Sequence, residues 1–133
     1  MYQKSYTGFI IWLIVFVIVM LAICYLPVNN EAVLIRLLLN LCTLGIAQLT
    51  WLIWRNERVY WYNGVSFEEA EQAGSERRKN YAFRHFRLFG TYALVSLAFT
   101  LGGFLAGWPW WLDMIIIPVG LIAAAFRTMV YKL

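Results

Sequence analysis

GFIIWLIVFVIVMLAICYL, residues 8–26, carries no charged side chain. At about 1.5 Å of rise per residue, a helix of this length comes close to crossing the roughly 30 Å of hydrocarbon in a bilayer. Lys4 ahead of it raises the alternative of a cleavable secretory signal. The apolar run is longer than the roughly 7 to 15 residues of a signal core, and Pro27 follows bulky Tyr25 and Leu26 where a cleavage site needs small residues. The stretch is therefore expected to be a retained transmembrane helix.

Three further blocks have the same character: AVLIRLLLNLCTLGIAQLTWLIW at 32–54, LFGTYALVSLAFTLGGFLA at 88–106 and MIIIPVGLIAAAFRTMV at 114–130. The chain as a whole is 62% hydrophobic and 14% charged, well below the roughly one quarter charged of a water-soluble domain. The expected fold is an all-α membrane protein. A four-transmembrane-helix bundle forms one integral membrane domain over 1–133, with an amphipathic helical loop at 55–87 between helices two and three.

Basic residues near helix ends set orientation. Lys4, Arg127 and Lys132 lie in or beside the terminal segments, and the central loop holds Arg55, Arg58, Arg77, Arg78, Lys79, Arg84 and Arg87. Only Arg36 lies toward the other side, inside helix two. Both termini and the loop are thus expected in the cytoplasm, with the bacterial cytoplasmic membrane as the location. So one-sided a bias argues against antiparallel dimers, which require insertion in both orientations. Trp108, Trp110 and Trp111 on one side, and Trp51, Trp54, Tyr60 and Trp61 on the other, suit the two headgroup belts.

Within the loop, Asn63-Gly64 is a tight-turn dipeptide. Ser66-Phe67-Glu68-Glu69 fits a capping box, predicting a short helix from Phe67 to Ala73 closed by Gly74. Ser75 would then cap a second helix, which continues into helix three with a bend at Gly90. Arg77, Arg78, Lys79, Arg84 and Arg87 alternate with aromatic rings, the composition of a segment that meets anionic headgroups or a cytoplasmic partner. The position of this stretch beside a membrane span accounts for its charge without nucleic acid. His85, the sole histidine, has no Cys or Asp at metal-ligand spacing, so no metal and no cofactor is expected.

Polar groups inside an apolar span are costly, and their spacing marks an interior. Arg36, Asn40, Thr43, Ala47 and Thr50 recur at helical spacing on one face of helix two, with Gln48 at its edge. Arg36, four residues in from the outer end, has two structural options: to snorkel to the interface, or to form an ion pair with Asp113 at the start of helix four. Ala93, Ser96, Thr100, Gly103 and Gly107 on helix three, and Gly120, Ala124 and Thr128 on helix four, form small-residue faces for helix packing. Pro118 should bend helix four. Cys24 and Cys42 stand at different depths, on the order of 15 Å apart, too far to bridge, and are read as packing residues.

Catalysis needs an acid, base, nucleophile or metal ligand in mutual reach, and the apolar blocks offer no carboxylate beyond Glu31 and Asp113 at their margins. The expectation is a small polytopic, non-enzymatic accessory or interaction subunit. Its partners would be membrane lipids, a second copy or another membrane protein. The alternative is an oligomeric channel or transporter lined by the polar face of helix two.

Overall fold

The computed structural model describes residues 2–133. Among them the fold is all-helical, in the order α1 Thr7–Cys24, α2 Glu31–Asn56, a one-turn 3-10 segment Val59–Trp61, α3 Phe67–Leu105 and α4 Trp111–Thr128. All four α-helices are long and apolar enough to cross a membrane.

Each boundary has a local cause. Asn30 caps α2, its side chain accepting from the Val33 amide at 3.3 Å. Ser66 and Glu69 form the expected capping box at α3, at 3.1 Å and 2.9 Å. The end of α3 is a Schellman motif: the amides of Trp108 and Gly107 donate to Gly103 O and Phe104 O, with Gly107 at φ 71°. Gly107 is thus a helix stop and not a packing residue, a correction to its expected role, since it is exposed and faces open space. The end of α2 has the same form, but its left-handed position holds Glu57 at φ 56°. A side chain there costs about 1 kcal/mol or more, so Glu57 must be held by something else.

The only non-helical residue within α3 is Gly74, at φ 77°. The expected break between two helices therefore occurs, and the backbone keeps helical φ/ψ through Gly90. Ser75 does not cap the second segment as expected; its hydroxyl donates to Glu57 Oε1 at 2.8 Å.

α2 and α3 form the most extensive contact and α4 closes against both. Ala93, Ser96, Thr100 and Gly103 are buried on α3, and Ala124 on α4. At Gly120 a Cβ would stand 2.5 Å from the Tyr92 hydroxyl, which donates to Ile117 O at 2.6 Å, so only glycine permits this approach. α1 buries none of its residues and leans on α2, where the Phe16 ring occupies the space a side chain at Gly45 would need. A groove of about 560 Å³ runs between them, lined by Trp12, Val15, Leu41 and Gln48.

Two ends follow from this arrangement. The "tryptophan end" carries Trp108, Trp110 and Trp111. The "basic end" carries the 3-10 turn, the start of α3, residues 2–6 and residues 131–133. There Val59, Tyr60, Ala70, Tyr81 and Ala82 make a second core with Ile53.

Candidate functional site

Polar side chains concentrate in two places. The first lies between α2, α3 and α4 toward the tryptophan end. Arg36 Nε donates to Asp113 Oδ2 at 3.0 Å, and Arg36 Nη2 to Trp108 O at 2.7 Å. The Schellman turn places that carbonyl. Thr100 Oγ1 donates to Asp113 Oδ1 at 2.8 Å while accepting from Asn40 Nδ2 at 2.8 Å. Asn40 Nδ2 also donates to Arg36 O, and Asn40 Oδ1 accepts from Ser96 Oγ at 3.3 Å. The hydroxyl oxygens of Thr43 and Ser96 lie 3.1 Å apart. All six residues are buried, Asp113 at 1% exposure.

This face of α2 is therefore occupied by its own partners. Thr50, two turns beyond Thr43, donates to Ala47 O. Gln48 does not belong to the face. It is exposed on the other side of α2, where its Oε1 accepts from Trp12 Nε1 at 3.3 Å. Its place at the margin of the stripe turned it toward α1.

The second concentration is at the basic end. Glu57 Oε2 receives Nε and Nη2 of Arg78 at 3.1 Å and 2.9 Å, Oε1 receives Lys79 at 3.4 Å, and the Tyr2 hydroxyl donates to its carbonyl at 2.6 Å. These contacts hold the left-handed Glu57 in place. Partial burial acts to raise the Glu57 pKa, but hydrogen bonds from Ser75, Arg78 and Lys79 outweigh it and bring the pKa below its ordinary value. Arg78 also donates to Ala70 O and lies 4.0 Å from the centre of the Tyr2 ring. Burial raises the Tyr2 phenol to about 12, against the opposing charge of Arg78.

Arg78 is thus an internal strut, 8% exposed, and not the lipid or partner contact expected of it. Arg77, Lys79, Arg84 and Arg87 do face outward. The segment before α1 straps this end. Ser5 O accepts from Arg58 Nη1, Tyr60 Oη and Trp61 Nε1 at 2.7, 2.9 and 3.1 Å. No pattern in residues 2–6 announced this.

His85 is 4% exposed. Its ring lies 4.2 Å from that of Tyr62 in a stack, 4.5 Å from Tyr81 and 5.1 Å edge-on to Tyr131. Burial holds the imidazole below its ordinary range, partly offset by the contact of Nδ1 with Tyr81 O at 3.0 Å. A cavity of about 530 Å³ opens beside these rings, reaching Thr50 and Phe89. Tyr62 Oη is enclosed without a hydrogen-bond partner, and burial raises its pKa.

No known protein family, curated protein or solved structure matches the chain. The buried polar network is internally paired, the basic-end core is aromatic and braced by ion pairs, and unpaired cations face outward from α3. Cys24 and Cys42 are both free thiols.

Proposed function

We propose that this chain is an integral membrane protein with its basic end in the cytoplasm, and that it acts as a non-catalytic interaction subunit. The orientation rests on the distribution of Lys and Arg, all but Arg36 lying at or next to the basic end. The exposed apolar side chains of α1 and α4, including Ile10, Ile14, Ile18, Ile115, Val119 and Ile122, would face acyl chains or another membrane protein.

The observation that carries the functional reading is the pairing of Arg36, Asn40, Thr43, Ser96, Thr100 and Asp113 with one another. A conducting or transporting path needs polar groups that exchange partners with a solute. Here each would have to abandon a partner in a low-dielectric interior, which weighs against a channel lined by α2. A braced arm remains, Phe67 to Lys79, with Glu68, Glu69, Glu71, Glu76 and Arg77 outward on a fixed frame. Such an arm suits a protein partner of mixed charge. A catalytic reading finds little support, since Asp113 and Glu57 are engaged and, among the described residues, the hydrogen bond of the His85 ring is to the Tyr81 carbonyl.

The test is a photo-crosslinking amino acid in place of exposed Gln72, in native membranes. Deleting the arm would be uninformative, because Ala70 and Arg78 belong to the core beneath it. A discrete protein adduct from position 72, absent when the same group replaces Leu94, is the expected result. Solute flux through proteoliposomes that Asn40→Leu abolishes would overturn the reading in favour of transport.

A further inference from the structure

Three arginines from two helices converge where α3 meets α4 at the basic end. Arg84 and Arg87 of α3 and Arg127 of α4 line a cleft of about 300 Å³ together with Leu88, Thr91 and Tyr131. Among the described residues none of the three arginines has an ion pair or a hydrogen bond; the acidic contacts belong to Arg36, Arg78 and Lys79. Like charges held near one another repel, and that cost is recovered when an anion sits between them.

The surroundings identify the kind of anion. On α3, Thr91 is followed one turn on by Val95, with Leu94 beside it, and both are exposed. On α4, Arg127 is preceded by exposed Ala123, Ile122 and Val119. A cationic cleft thus stands at the end of two apolar, unpartnered helix faces. That is the profile of a molecule with a negative head and long apolar tails. The guanidinium fork matches phosphate oxygens in pairs, and the Tyr131 and Thr91 hydroxyls add neutral donors.

We propose that this cleft holds the phosphate of an anionic phospholipid, clamped by Arg84, Arg87 and Arg127, with the acyl chains along α3 and α4. The assignment rests on membrane insertion as proposed above, and it gives Arg127 a specific task beyond reaching for the headgroup region.

The experiment is lipid retention by native mass spectrometry, on protein released from nanodiscs of phosphatidylcholine doped with phosphatidylglycerol. Wild type is expected to retain phosphatidylglycerol in preference to phosphatidylcholine. R127Q and R84Q should each lower that preference about fivefold, the effect of one surface cation on anionic lipid. R55Q removes the same charge from the same end, over Trp51 and away from the cleft, and should leave the preference intact. Arg84 and Arg127 are exposed, so these two variants are expected to fold, and each checks the other. Equal losses in R55Q and R127Q would reduce the effect to diffuse charge and overturn the proposal, as would no loss in either cleft variant. Displacement of the bound species by millimolar inorganic phosphate would overturn the lipid as its source. Nanodiscs expose both faces, so an inverted orientation would leave this result unchanged while failing the cytoplasmic assignment. Absence of the chain from nanodiscs would instead fail membrane insertion itself.

Discussion

Thr100 Oγ1 donates a hydrogen bond to Asp113 Oδ1 at 2.8 Å, leaving Oδ2 of the same carboxylate to Arg36. Each oxygen of a nearly fully buried carboxylate thus has its own donor, one neutral and one cationic. That division suits a carboxylate with only 1% exposure, because burying an ion is tolerable only when it is both paired and hydrogen-bonded.

Breaking this arrangement from either side should be severe. Arg36→Ala or Asp113→Ala alone leaves an uncompensated buried charge, with an expected loss of about 3 kcal/mol. The double variant should lose clearly less than the two losses together. Chemical unfolding in a mild detergent measures all three, and additive losses would mean the pair contributes nothing as a pair.

Gly120 is expected to be intolerant of size. Gly120→Val drives a branched side chain into Tyr92 and removes its hydrogen bond to Ile117 O, costing about 1–3 kcal/mol. Gly102 has open space around it, and Gly102→Val is the matched control. Thermal midpoints of the two variants should separate; equal midpoints would show that α3 and α4 are not closely apposed.

Acid should weaken the basic end before it reaches Glu57. With the His85 pKa below its ordinary 6.5 in the folded chain, the unfolded chain binds the proton first as pH falls. The stabilisation is complete above about 6.5 and declines below it, by at most about 1.4 kcal/mol per pH unit for one proton. Midpoints taken between about pH 8 and pH 5 should fall in the wild type and fall less in His85→Phe. Parallel profiles would show that His85 titrates alike in both states.

Arg78 should not be replaceable by lysine. It spans two acceptors on different elements, Glu57 Oε2 and Ala70 O, while lying over Tyr2, and an ammonium cannot reproduce that fork. Arg78→Lys should expose the Gly74 region to limited proteolysis, and Arg77→Lys should not. Unchanged cleavage in Arg78→Lys would mean that the Glu57 contact is dispensable.

The helices were legible because apolar blocks separated by charge have few foldings open to them. The Arg36–Asp113 pair was legible too, since Asp113 is one of only two carboxylates at the margins of those blocks. The face of Asn40, Thr43 and Thr50 followed from helical spacing, and its partners Ser96 and Thr100 stood on the small-residue face of α3. What spacing could not supply was which cation in a dense basic run turns inward. Arg77, Arg78 and Lys79 are alike in composition. The break at Gly74 sets the rotation that aims Arg78 at Glu57. Gln48 and Gly107 were misplaced for related reasons: one sat at the edge of a stripe, and the other continued a small-residue rhythm past the point where α3 ends. The stack of His85 on Tyr62 depends on a turn bringing residue 62 back over α3, which no local pattern records.

Past Gly74, α3 has no further break before Leu105, a rod of roughly 45 Å at about 1.5 Å per residue. One end of that rod is gripped by Glu57 through Arg78, and near the other Thr100 holds Asp113. A displacement of α3 beyond the Gly74 break therefore meets no second break, and the Thr100–Asp113 contact must follow it or be lost. The grip at Glu57 and the bond at Asp113 thus sit on one continuous helical span, and a substitution that loosens the first is expected to be felt at the second.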